Sequence, residues 1–296
     1  MPVNEKQLAT WSNAGAAQTA EATYTSIKTA LSRAANLKQF SYEVYLQGSY
    51  GNATNIYGNS DVDIVVELNS AYYYDISRLT EADRTVFNQN FSGSKYTFSG
   101  FRQEVQSALQ VYYGSGIIKP KNKCILVEAA SGRLDADVIP CLEHRLYKQY
   151  SPASQHYDRG IKFFTLKESR AIVNFPRLHR DCGTAKNKRV TDNYKPAIRV
   201  FKNWRDRLIT EAKLKESVAP SYFIECLLSN IPDVAFIGST WNAIVFACLK
   251  QLEGDISKYM CQNGVVPLFG DTQEQWNVSA ARAFTSAVIS DWNAGR

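Results

Sequence analysis

No run of apolar residues in this 296-residue chain is long enough to cross a bilayer, and the opening MPVNEKQLAT lacks the basic start and apolar middle of a secretory signal. A soluble protein of the cytoplasm is the expectation. The six cysteines (Cys124, Cys141, Cys182, Cys226, Cys248 and Cys261) include no C-x-x-C pair, which speaks against a zinc ribbon and against a compact disulfide framework. Reduced thiols follow. Cys141 and His144 stand three apart, yet with no second pair of ligands no zinc site is read there. Internal repeats and low-complexity tracts are also missing.

Hydrophobic residues at 45% and charged residues at 21% suffice for a core that needs no disulfide staples. The length exceeds the commonest single-domain size, so it fits either one large domain or two closely packed lobes, with a slight preference for two. A net charge of +6 draws anions such as nucleotides, nucleic acid or acidic lipid heads without choosing among them. The short basic runs KPKNK (119–123) and KNKR (186–189) read first as solvated loops.

Ala17, Ala20, Tyr24, Ile27, Leu31 and Ala34 recur at helical spacing and predict one long helix from about Gly15 to Ala35. Tyr42 to Leu46, the polar GSYGNATNIYGNS and then DVDIVVEL read as strand, loop and strand. Phe101 to Tyr112 predicts a helix stopped at Gly114. Lys123–Glu128 and Arg133–Val138 read as strands joined by a turn at Ala130, Ser131 and Gly132. Beyond about Tyr150 helices dominate: 194–210, 221–228, 241–252 and 278–292, with few strand signals. Ser151 to Asp158 is the candidate boundary, giving domains 1–150 and 151–296.

Period-two alternation in the strand from Asp61 to Leu68 places Asp61 and Asp63 on one face and Val62, Ile64, Val66 and Leu68 on the other. Like charges crowded on a strand repel, and a divalent cation with a taste for hard oxygen ligands removes that cost. Gly48-Ser49 lies 61 − 49 = 12 residues ahead of Asp61, where glycine allows close backbone approach and the serine and following amides can cradle a phosphate. Two-metal phosphoryl chemistry needs a third carboxylate. Asp135 and Asp137 in RLDADVIP share a face, and spacing does not choose between them.

Gly48-Ser49, then Asp61-x-Asp63, then an acidic residue leading into Val-Ile-Pro resembles the polymerase-beta-type nucleotidyltransferases. More narrowly, QGSYGNATNIYGNSDVDIVVEL with DADVIPC is similar to the bacterial cGAS/DncV-like nucleotidyltransferases, cyclic-oligonucleotide synthases of anti-phage defence. The resemblance implies an α+β, two-lobed enzyme: an N-terminal mixed-sheet palm, a helical C-terminal lobe clamping nucleotide, and the long N-terminal helix as a brace. It selects Asp137 over Asp135 as the third metal ligand and assigns Mg2+, with Mn2+ as an alternative. In IRVFKNWR it points to Lys202, and in the helix opening Ser221-Tyr222 to Ser221, as triphosphate contacts. Read without the resemblance, Lys202 is a snorkelling helix lysine and Ser221 an N-cap.

The expected partners are nucleoside triphosphates as donor and acceptor and an effector that senses the product, with no membrane and no required nucleic acid. Tyr50, Tyr57 and the segment FPRLHR (175–180), His179 included, are candidates for base selection, each also readable as packing. Two other readings compete: a nucleotidyltransferase that modifies RNA ends, a protein or a small molecule, and a non-catalytic nucleotide-binding or antitoxin-type protein.

Overall fold

The computed structural model describes residues 3–15, 17–58, 61–91 and 96–294. Asn59 and Ser60, the end of the glycine- and asparagine-rich motif, lie outside the described residues. Along the chain run α1 (Glu5–Ser12), α2 (Gln18–Arg33), β1 (Tyr42–Leu46), α3 (Gly48–Asn52), β2 (Val62–Asp75), α4 (Glu81–Asn90), α5 (Phe98–Tyr113), β3 (Ile118–Pro120) and β4 (Ile125–Val127). They are followed by β5 (Ala136–Ser151), β6 (Ser154–Phe164), β7 (Ala171–Asn174), α6 (Pro176–Arg189), α7 (Tyr194–Thr210), α8 (Ser221–Ser229), α9 (Trp241–Leu252) and α10 (Val278–Ala294). No helix among the described residues is long and apolar enough to cross a membrane.

Two compact units emerge, and neither is one stretch of sequence. The sheet unit is Ala17–Gly51 with Ser60–Arg177; the helical unit is Met1–Ala16 with Asn52–Asn59 and Leu178–Arg296. The expected boundary at 150 is therefore corrected. Ser151–Ser154 is the exposed tip of a hairpin, residues 155–158 already pair with β5, and β6 and β7 extend the sheet to Asn174. Polar residues at a solvated hairpin tip carry the same composition as a linker.

The long helix expected from about Gly15 to Ala35 is α2, trimmed to Gln18–Arg33 and lying wholly in the sheet unit, while a separate α1, not foreseen, belongs to the helical unit. Asn4 caps α1 by accepting the Gln7 N–H at 2.9 Å. Glu5 then accepts the Trp241 and Asn242 N–H groups, both at 2.7 Å, and so caps α9 with the negative charge its N-terminus favours. α2 buries Ala20, Ile27 and Leu31 as the periodicity required.

In the sheet the order is β1-β2-β5-β4-β3, with β6 on β5 and β7 on β6. Only the β2–β5 pair is parallel among those pairings. Parallel neighbours need a long crossover. Here it is the segment 76–135, which carries α4, α5, β3 and β4. α5 ends where glycine was expected to stop it: Gly114 has φ +85° and its N–H returns to Gln110 O. β2 is buried on both faces through its middle, so Val65 and Glu67 are covered along with the alternating Val62, Ile64, Val66 and Leu68.

The helical unit packs around α7, whose Tyr194, Ile198, Phe201, Trp204 and Leu208 form a buried stripe. Trp204 is fully buried, donates its ring N–H to Asp291 at 3.0 Å and lies 6.0–6.2 Å from the rings of Trp11 and Trp292. α6 was not foreseen, because its sequence PRLHRDCGTAKNKR is polar almost throughout; its basic last turn complements the helix C-terminus. Replacing Trp204 by Ala is expected to cost about 3–5 kcal/mol, read as a lowered denaturation midpoint of the helical unit by tryptophan fluorescence or circular dichroism in urea.

Candidate active site

The site begins with a register. Parallel pairing sets Asp63 of β2 opposite Asp137 of β5, with Val62 opposite Ala136 and Ile64 opposite Val138. Neighbouring strands run about 5 Å apart, so residues in register present side chains to one face at close quarters. Asp61 precedes β2 directly, two residues ahead of Asp63 and on the same face by alternation. The Asp63 carboxyl is pushed up to about 6, first by burial and then by the charges of Asp137 and Asp61. Asp137 in turn is hydrogen-bonded by the Cys124 thiol, which burial and the Asp137 charge push up to about 12.

As the side chains stand, no three His, Cys, Asp or Glu among the described residues converge tightly enough to chelate one ion. Electrostatics and donor chemistry nonetheless match a hard divalent cation, since Asp63 carries a penalty that only added positive charge or a proton relieves.

Gly48 explains why a glycine stands ahead of the acidic strand. It opens α3 with φ +64°, and a Cβ there would stand 2.1 Å from Asp63 Oδ2. The missing side chain is the space the carboxylate occupies. Gln47 N–H bonds Asp63 O at 2.9 Å, tying this turn to β2 at the same point. Residues 48–52, expected as loop, thus form one short helical turn. Ser49 follows Gly48 in that turn, and Tyr50 is half-buried with its phenol raised by burial and by the Asp61 charge.

The choice between Asp135 and Asp137 has a geometric side. Asp135 lies just outside β5 and spends a carboxylate oxygen on the Ala129 N–H at 2.6 Å, closing the loop before the strand, while its carbonyl accepts Val62 N–H at 2.9 Å. Asp137 is the residue in register with Asp63.

In the helical unit Lys202 has a task other than the expected one. It is 0% exposed, and its ammonium is shared among Glu225 Oε1 at 2.5 Å, Thr54 Oγ1 at 3.1 Å and Thr54 O at 3.2 Å. Every proton is committed, so a triphosphate contact by Lys202 is replaced by a buried ion pair. The amine left half-buried on that face is Lys195, seven residues earlier and 3.1 Å from Thr184 Oγ1. Burial lowers its pKa, opposed by Glu225 and reinforced by Arg199 and Arg180. The spacing Lys195, Arg199, Lys202 was the available signal for this cationic face.

Ser221 is the first residue of α8, after Pro220, and its hydroxyl accepts from Arg205 Nη1 at 3.0 Å. Arg205 also donates to Ala219 O at 3.0 Å, so a guanidinium stands beside the opening of the helix. Among the base-selection candidates, Tyr57 is 69% exposed, Phe175 is buried, and Arg177 is bound to Glu43 and Glu67. His179 is buried, donates from Nε2 to Glu225 Oε2 at 2.9 Å and stacks on Tyr222 at 5.0 Å. These last three are packing and ion-pair residues in the structure.

Comparison with known proteins gives four concordant results. Residues 181–293 match the cGAS/DncV-like nucleotidyltransferase C-terminal helical domain. The chain is 42% identical over 293 residues to a cyclic UMP-AMP synthase of Rhodothermus marinus (strain SG0.5JP17-172), covering 99% of this chain and 98% of that one. It is 38% identical over 300 residues to the cyclic nucleotide synthase CdnE01 of Staphylococcus haemolyticus, covering 99% of each. The solved structure of the Rhodothermus marinus CdnE c-UMP-AMP synthase with Apcpp and Upnpp superimposes with a TM-score of 0.90 at 41% identity, over 99% of this chain and 97% of that one.

Two outcomes follow from the geometry. The Asp63 carboxyl is raised from the ordinary 3.8 of an exposed aspartate to about 6 in the fold, so its favourable contribution is complete below pH 3.8 and lost as pH rises through about 6. Asp63→Asn is therefore expected to raise the melting temperature of the protein at pH 7.5 but not at pH 4, by scanning fluorimetry. Gly48→Ala is expected to keep the circular dichroism spectrum while reducing turnover about 100-fold or more, because the methyl displaces the Asp63 carboxylate.

Proposed function

The chain belongs to the cGAS/DncV-like nucleotidyltransferases, and we propose that within this family it joins one ATP and one UTP into cyclic UMP-AMP, releasing pyrophosphate at each of two steps. It is a nucleotidyltransferase and a cyclic nucleotide synthase, as are the relatives that align with it from end to end. The observation that carries the finer reading is the placement of Asp63 in register with Asp137 beside a glycine whose side chain is excluded, in a chain 42% identical throughout to a cyclic UMP-AMP synthase.

Nucleotidyltransferases generally use a divalent metal, and Asp61, Asp63 and Asp137 are the residues proposed to hold it. Mg2+, with Mn2+ as a substitute, suits three hard carboxylates; when bound it supplies charge neutralisation of the triphosphate and acidification of the attacking ribose hydroxyl. In each step a ribose oxygen forms a bond to the donor α-phosphorus, the α–β phosphoanhydride bond breaks, and pyrophosphate leaves with the electron pair. Gly48 leaves room for the carboxylate, and Ser49 with the neighbouring amides is proposed to hold phosphate oxygens. In the helical unit Ser221, with Arg205 on its hydroxyl, is the proposed phosphate contact, and Lys195 the proposed amine.

The product is proposed to act in the cytoplasm as a second messenger of anti-phage defence, read by an effector protein. Modification of RNA ends, proteins or small molecules, and a silent antitoxin-type role, draw no support from the full-length relatives.

Incubation with Mg2+ and labelled pairs of ATP, GTP, CTP and UTP, then phosphatase and mass analysis, tests this. A phosphatase-resistant product containing one uridine and one adenosine is expected, falling below about 1% in Asp61→Asn and Asp63→Asn. A ring of two purines or two pyrimidines would remove the ATP and UTP assignment, and full activity in both Asn variants would remove the metal assignment.

A further inference from the structure

Between the Gly48–Gly51 turn and Asp61 the chain leaves the sheet unit: Asn52–Asn59 belong to the helical unit. Its described part, 52–58, has neither helix nor strand beyond the end of α3 at Asn52, and yet Asn52, Thr54, Asn55 and Ile56 are buried. Buried irregular backbone needs partners from elsewhere. Three successive carbonyls find them: Ala53 O accepts Arg199 Nη1 at 2.7 Å, Thr54 O accepts Lys202 Nζ at 3.2 Å, and Asn55 O accepts Gly15 N–H at 3.1 Å. Asn55 Nδ2 answers with a 2.9 Å bond to Gly15 O. Ala53 is held at φ +56°, a conformation that costs an alanine free energy and persists only when its surroundings over-determine it.

At the centre of these bonds sits Glu225, on α8. Its Oε1 accepts Thr54 Oγ1 at 2.6 Å and Lys202 at 2.5 Å; its Oε2 meets Asn52 Nδ2 at 2.9 Å and His179 Nε2 at 2.9 Å. Burial drives the carboxyl pKa up, but the Lys202 charge and the hydrogen bonds and charge of His179 outweigh it and hold Glu225 ionised. A buried ion pair of this kind adds little net stability over an apolar pair of similar volume. What four directed bonds to one carboxylate do provide is a fixed position for the groups that make them.

We infer that Glu225 is a positioning residue for the reaction: through Asn52 and Thr54 it fixes the backbone of the described segment 52–58, which follows Gly48-Ser49 in the chain and precedes Asp61, with Lys202 and His179 holding the carboxylate in place. The inference rests on the reading of Ser49, Asp61 and Asp63 as site residues. Neither Glu225 nor Thr54 is assigned to touch nucleotide. Misplacement of a reacting group by about 1 Å from such a remote change costs up to about 100-fold in rate.

Thr54→Val keeps the shape and removes the hydroxyl; Thr54→Ser keeps the hydroxyl; Glu225→Gln keeps the shape and removes the charge. Steady-state kinetics on the full chain should show kcat reduced about 10- to 100-fold in Thr54→Val and Glu225→Gln, KM for each nucleotide within about twofold of wild type, and most of the rate recovered in Thr54→Ser. Hydrogen exchange of the 52–58 amides should accelerate in the two slow variants and not in Thr54→Ser. If Glu225→Gln fails to fold, Thr54→Val alone decides. A kcat within about twofold of wild type in Thr54→Val, or a raised KM with kcat retained, overturns the positioning role. Asp63→Asn measured alongside separates the two readings: active Asp63→Asn removes the site assignment, whereas inactive Asp63→Asn with fully active Thr54→Val removes only this inference.

Discussion

Parallel pairing of β2 with β5 brings Asp63 beside Asp137, and the surrounding architecture answers the repulsion this creates. Two strands far apart in sequence become neighbours only because the 76–135 crossover returns the chain to the same edge of β2. The juxtaposition opposes folding of the metal-free protein, since burial and two neighbouring charges all raise the Asp63 carboxyl. Gly48 clears the space, Cys124 donates to Asp137, and Asp135 closes the loop that delivers β5. Strain of this sort is tolerated at sites where it serves binding of a charged group.

Two buried carboxylates, Glu67 and Glu225, show how differently the same chemical group is treated elsewhere in the fold. Glu67, four residues beyond Asp63 on β2, is fully buried and receives Tyr45 Oη at 2.7 Å, Arg159 at 2.7 Å and Arg177 at 3.4 Å. Glu225 is equally saturated, by Lys202, Thr54, Asn52 and His179. Each is neutralised by cations within its own unit. The Asp63 carboxyl is instead raised by burial and by the charges of Asp137 and Asp61, and it is one of the residues proposed to hold a cation.

Much of this was legible along the chain because it rests on local rules. The helices 194–210 and 241–252 coincide with α7 and α9, and Gly114 ends α5, since apolar period and a glycine stop signal are written in consecutive residues. The aspartates and Gly48-Ser49 were visible as a pattern of residue types at fixed spacing. α6 and β6 escaped because their sequences are polar, and their existence depends on surfaces supplied by other segments. The boundary at 150 failed because a hairpin tip and a linker look alike in composition.

The sequence by itself determined the enzyme family, the three aspartates that carry the proposed chemistry and the helical character of the second half, since each depends on residue identity and short-range spacing. Tertiary structure alone decided that Asp137 is the residue in register with Asp63, that Asp135 is spent on Ala129, and that Lys202 is paired with Glu225 while Lys195 stays half-exposed. It also decided that residues 52–59 belong with a helical unit whose bulk begins more than a hundred residues later. Those outcomes turn on which distant groups meet, and a lysine on a helix carries no mark of whether a buried carboxylate 23 residues away will claim its charge.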